Sequence, residues 1–214
     1  MMNLWFGSLF LVVGLFPSSS ALTPEECQPL ITSLSLADPT MMYGKTNFIL
    51  GYTDDEVHKS ILKSTESSWM KITPSFRPNE IIMDQGFKMN DTCLVSTLNI
   101  TLDGDTATTS LPKVFSAFHV LPTCDGCLLL SINSTIKSLD HLLSSMNMSH
   151  TFKEQEIHAR SLYLMGRETT VKDSDVEHFR RQASCLGFTR EPDFHYDPKK
   201  GFCKEGEGIL MTFQ

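Results

Sequence analysis

Two cysteines, Cys124 and Cys127 in "LPTCDGCLLL", are the residues of this chain with the most chemistry available to them. A C-x-x-C pair can act as a redox dithiol, supply half of a zinc site, or staple a turn. The choice depends on the compartment, on the other cysteines and on the surrounding fold. A zinc site needs a second Cys or His pair at ligand spacing, and the seven histidines are scattered with no H-x-H or H-E-x-x-H. No G-x-S-x-G elbow and no phosphate-binding loop is present. The carboxylate clusters Asp54-Asp55-Glu56 and Asp103/Asp105 lie in turn-like polar stretches, where solvated loops and caps account for them. The residues therefore call for no catalytic group, no metal and no cofactor.

The start of the chain bears on the compartment. "LWFGSLFLVVGLF" (4–16) is an uncharged apolar run of 13 residues, too short to span a bilayer. Ser19-x-Ala21 supplies the small residues of a cleavage site, although the basic segment that usually precedes the apolar run is missing. Residues 1–21 read as a secretory signal and 22–214 as a single domain. No later run is long enough for a membrane span, so the mature chain is expected outside the cell. The formal net charge of −7 argues against a nucleic-acid partner, which would need basic neutralisation. Six cysteines in an oxidising compartment read as three disulfides, with fifteen pairings open. Four N-x-S/T sequons, at Asn90, Asn99, Asn133 and Asn147, mark outward-facing glycosylation positions.

The middle of the chain is β-like. The runs 68–74, 80–89, 93–102, 113–121, 127–133 and 158–166 are rich in β-branched, aromatic and aliphatic residues, and turn signals divide them. Short strands at regular spacing predict a sandwich or barrel. Asp125-Gly126 predicts a two-residue hairpin that sets Cys124 opposite Cys127, within bonding distance. Ser174-Asp-Val-Glu177 has the form of a capping box, and Val176, Phe179, Ala183 and Leu186 follow at helical spacing. Arg180 and Arg181 read as cations near the helix C-terminus, with Gly187 closing it. The segment 136–148 predicts a short amphipathic surface helix through Ile136, Leu139, Leu142, Leu143 and Met146.

The order of these elements resembles a lipocalin, and most nearly the group of α-1-acid glycoprotein, apolipoprotein M and the fish toxin- and tributyltin-binding proteins. "GKTNFILGYTDDEVHKS" (44–60) resembles the family's first motif and its following loop. "WMKITP" (69–74), "TCDGCLLL" (123–130), "RSLYLMGRETT" (160–170) and "VEHFRRQASCLGF" (176–188) resemble later family segments. The tryptophan of the first motif is Thr46 here, so the residue that normally plugs the closed end is missing. The resemblance implies an all-β, eight-stranded antiparallel up-and-down barrel with one C-terminal helix packed outside. It also implies the pairings Cys27–Cys185 and Cys93–Cys203, which leaves Cys124–Cys127.

A barrel of eight strands closes around room for one small ligand. An outward, glycosylated Asn99 turns Leu98, Ile100 and Leu102 inward. The resemblance places Met70, Ile72 and Tyr163 inward, and period two adds Ser161 and Met165. Phe118, Met83 and Gln85 complete the expected cavity set. In 127–133 the outward Asn133 favours Leu128 and Leu130, whereas the family alignment favours Leu129. The resemblance implies a non-enzymatic carrier of small hydrophobic or amphipathic molecules, among them tributyltin or the guanidinium toxins tetrodotoxin and saxitoxin. It also admits an apolipoprotein-like protein riding on lipoprotein particles, anchored by an uncleaved signal, and a barrel enzyme working through a free cavity thiol.

Overall fold

The computed structural model describes residues 22–137 and 156–211. Eight antiparallel strands run in chain order around a closed barrel: β1 (Gly44–Thr53), β2 (Thr65–Pro74), β3 (Glu80–Met89), β4 (Thr92–Asp103), β5 (Thr106–Leu111), β6 (Val114–Leu121), β7 (Cys127–Lys137) and β8 (Glu156–Gly166). Each pairs with its chain neighbour, and β8 returns to β1. The expected up-and-down barrel is the observed one. Two of its strands, β1 and β5, lie outside the six runs picked out by composition. Thr106–Leu111 is too polar and short to stand out, and β1 carries apolar residues on both faces.

Two separate cores explain that doubly apolar pattern. One fills the inside of the barrel, from Leu36 and Met42 at one end through Phe48, Ile72, Ile100 and Leu130. The other lies between the outer wall and α3 (Asp173–Cys185), where Leu50, Tyr52, Leu129, Leu162 and Leu164 meet Phe179 and Ala183. The β1–β8 register slips between Phe48 and Leu50. The extra residue, Ile49, lets two successive side chains face the helix.

α3 differs from its predicted form at both ends. It starts at Asp173, its N-cap Lys172 makes no side-chain capping bond, and the Ser174–Glu177 capping box does not form. Asp173 and Asp175 in the first turn complement the helix dipole instead. No basic residue lies in the last turn, and Arg180 bonds Glu191, 3.1 Å away. Gly187 does close the helix: at φ +89° it lets Phe188 N–H reach the Ala183 carbonyl at 2.9 Å, a Schellman closure. A capping box does form at Thr23 and Glu26, at the start of α1 (Pro24–Ile31).

Disulfides bond Cys27 to Cys185, Cys93 to Cys203 and Cys124 to Cys127. The first ties α1 to α3, and the second ties β4 to the C-terminal segment. The third answers the C-x-x-C question with a staple, but not across opposed strands. β6 and β7 pair only from Leu121 and Leu129, and Cys127 sits opposite Gly166 of β8. Cys124 and Cys127 are the first and last residues of a tight turn closed by Cys127 N–H to the Cys124 carbonyl at 3.1 Å. Gly126 alone carries a positive φ, +73°, as a type II turn requires and a type I′ hairpin turn does not.

The predicted helix over 136–148 fails at its start. Ile136 and Lys137 belong to β7, with Ile136 paired to Val114 and Ile157; the rest of that segment lies outside the described residues. Sequence reading missed α1 and also α2 (Glu56–Ser64), which lies between β1 and β2 and is capped by the Asp55 side chain accepting from His58 N–H. In the C-terminal segment, β9 (Phe194–His195) adds to β1 and β10 (Ile209–Leu210) pairs in parallel with β4. That segment covers Trp69 on the outer wall: its indole N–H donates to the Cys203 carbonyl at 2.8 Å, and the Lys45 ammonium lies 4.6 Å from the ring centroid.

Candidate ligand-binding cavity

Strand alternation turns every second residue inward, and the inward set encloses a cavity of about 280 Å³. One end is closed by the N-terminal segment, whose Leu34 and Leu36 amides donate to the Val120 and Gly104 carbonyls. Met42, from the 3-10 turn Pro39–Met42, lines the cavity at that end and is buried. Thr46 itself is buried with a hydroxyl that has no hydrogen-bond partner among the described residues.

Of the residues expected inside, eleven line this cavity, Met165 among them, whereas Leu102 and Leu128 pack in the barrel core without lining it. Met70 and Ile72 come from β2, Met83 and Gln85 from β3, and Leu98 and Ile100 from β4. Phe118 comes from β6, Leu130 from β7, and Ser161 and Tyr163 from β8. In β7 the inward set is Leu128, Leu130 and Ile132, and Leu129 lies outward under α3. The ambiguity there arose because both faces of β7 are apolar.

Sequence reading missed the lining from β1, β5 and the helix across the mouth. Phe48 stacks on Phe194 at 4.3 Å and meets Tyr163 at 4.7 Å. Its ring lies over Gly51, where a Cβ would come within 2.3 Å of the Phe48 ring edge. Glycine is what lets the aromatic group form. At the mouth, α2 contributes His58, Ile61 and Leu62 to the lining. The apolar spacing of Val57, Ile61 and Leu62 was the available signal, but a stretch of nine residues opened by three carboxylates reads as a loop.

The cavity wall is apolar and neutral. No Asp, Glu, Lys or Arg is among the described lining residues. His58, at the mouth, holds its Nδ1 2.7 Å from Asp55 Oδ1. The polar groups inside are hydroxyls and one amide. Gln85 Nε2 sits 3.3 Å from Met83 Sδ, a weak partner that leaves the amide free for a better one. Burial pushes the Tyr163 phenol above its ordinary range, with a Ser161 hydrogen bond opposing. The phenol therefore stays neutral. All six cysteines are in disulfides, so no thiol is available for covalent chemistry. Such a wall can bury an apolar body and orient it through neutral hydrogen bonds.

No protein-family model and no curated protein matches the sequence. The fold has clear counterparts. The siderocalin Ex-FABP, described as functioning through dual ligand specificities, aligns over 73% of this chain and 95% of its own at a TM-score of 0.55 and 11% identity. Lipocalin 12 from rat epididymis aligns over 73% of this chain and 83% of its own, at 0.52 and 13%. An odorant binding protein aligns over 73% and 88%, at 0.50 and 12%. At such identities the likeness is one of architecture. Barrel, outer helix and internal cavity together give this chain the lipocalin fold.

Proposed function

We propose that this protein is a secreted carrier that takes one small lipophilic or amphipathic molecule into its barrel. The observation carrying this reading is the cavity of about 280 Å³ closed at one end, covered by α2 at the other and lined without charge. Burial of apolar ligand surface would drive binding at roughly 25 cal/mol per Å², before ordering costs. An odorant binding protein among the structural neighbours supports the same class. Among the ligands that the sequence resemblance suggests, a lipophilic organotin suits this wall better than tetrodotoxin or saxitoxin. A guanidinium ion would enter the barrel without a carboxylate among the described lining residues to meet it, and burying an unpaired charge is costly.

Secretion rests on residues 1–21 acting as a cleaved signal and on the three disulfides, which suit an oxidising compartment. Asn90, Asn99 and Asn133 are exposed, as glycosylation would require, and Asn147 lies outside the described residues. Native mass spectrometry of the secreted, deglycosylated protein with tributyltin, tetrodotoxin, sphingosine-1-phosphate and a lipophilic amine tests the reading. A 1:1 adduct with a lipophilic member, abolished by Leu98→Trp, is expected. No adduct from any member would overturn it. The same spectra give the N-terminus: a chain starting at Leu22 supports release, and an intact start would put the lipoprotein-associated reading in its place.

A further inference from the structure

The cavity wall carries one polar rung, and its position selects among ligands. Thr109, Ser116 and Ser134 are direct register partners across β5, β6 and β7, and all three line the cavity. Ser116 Oγ and Ser134 Oγ are 2.8 Å apart. The next rung toward the mouth is apolar: Leu111, Val114 and Ile136 are register partners in the same three strands. Val57 and Ile61 of α2 pack against that apolar rim. The hydroxyls are therefore not a wet margin but lie below a hydrophobic collar. On the opposite wall Ser96 pairs in register with Gln85; alternation turns both inward, and of the two only Gln85 lines the cavity. Ser96 is 3% exposed, and its hydroxyl has no hydrogen-bond partner among the described residues. Unpaired buried polar groups cost stability and are uncommon without a reason.

We infer that the carrier's ligand is a neutral amphiphile whose uncharged polar group, a hydroxyl or carbonyl, sits at this rung with its apolar body toward the closed end. The inference rests on the carrier reading and sharpens it. Two serines sharing one hydrogen bond keep one O–H and several lone pairs for a third group, which suits a single donor–acceptor such as an alcohol. A carboxylate or ammonium at the same height would lie beneath the collar, out of water, with no opposite charge among the described lining residues. The desolvation of an unpaired ion outweighs a few neutral hydrogen bonds.

The test is displacement of the neutral fluorescent probe N-phenyl-1-naphthylamine from the full secreted protein. Competitors are decane, 1-decanol, decanoate and decylammonium at neutral pH. 1-Decanol is expected to compete about tenfold better than decane, and better than either ion. In Ser116→Ala/Ser134→Ala the advantage of decanol over decane should vanish while decane still binds, and a circular-dichroism spectrum like that of the parent shows that the variant is folded. Equal affinity for decane and decanol, or a preference for either ion, overturns the neutral-head inference and leaves the carrier standing. Failure of the probe and of every competitor to bind removes the carrier reading itself.

Discussion

Gly51 shows how much one side chain decides here. Phe48 is packed against Phe194 and Tyr163, so yielding to a new methyl group would break those ring contacts. Gly51→Ala is expected to cost about 1–3 kcal/mol by overpacking, measured as a lowered urea midpoint with unchanged m. Gln182 is a second such residue. Fully buried in α3, its amide donates to the carbonyls of Leu30 and Pro122, both at 2.7 Å, joining the end of α1 to the β6–β7 connection. Gln182→Ala leaves those carbonyls unpaired and should cost about 1–3 kcal/mol, read from thermal unfolding. Of the cavity residues, Leu98 and Ile100 were legible because an outward sequon asparagine sets the phase of a strand with period two. The rung of Thr109, Ser116 and Ser134 was not: nothing in a run of small polar residues says that they meet.

Among the elements, helix ends show the limits of local patterns. Thr23-Pro-Glu-Glu26 and Ser174-Asp-Val-Glu177 have the same capping-box form, yet only the first caps a helix. In the second, α3 has already begun at Asp173, so Ser174 lies inside the helix and its hydroxyl meets no orphan amide. The disulfides differ in what they hold. Cys93–Cys203 spans 110 residues and Cys27–Cys185 spans 158, whereas Cys124–Cys127 spans three. Loop-closure entropy then orders the effects of removal. Replacing either long bond with serines should cost about 2–5 kcal/mol, and replacing the short one distinctly less. Calorimetry of the three double variants checks that order. Loss of Cys93–Cys203 should also loosen the cover over Trp69 and shift its fluorescence to the red, since its indole partner is Cys203 itself.

For the molecule as a whole, acid stability should follow its ion-paired carboxylates, Asp54 and Glu205 among them. Burial pushes Asp54 up, but the Arg160 backbone amide and guanidinium, each 2.7 Å away, outweigh it and hold the carboxyl below the ordinary aspartate range. Lys71 and Lys45 likewise hold Glu205 low. A carboxyl whose folded pKa is depressed contributes stability above its unfolded pKa and loses it as pH falls through the folded one. Stability should therefore be level above about pH 5 and decline below about pH 4. Asp54→Asn should flatten part of that decline, measured by urea unfolding across the range.

Much of this architecture is a matter of spacing along the chain. The even set of cysteines, the turn-bounded apolar runs and the alternation around Asn99 are local, and they suffice for a sandwich or barrel with an inward apolar set; the resemblance to lipocalins chose the barrel. What the chain order could not decide is everything that depends on two distant segments meeting. The Leu128-Leu129-Leu130 phase needs α3 to be on one side, because both faces of that strand are dry. The polar rung needs three strands in register. These are long-range contacts whose energy comes from packing and pairing after the loops have closed. Local propensity carries no record of them.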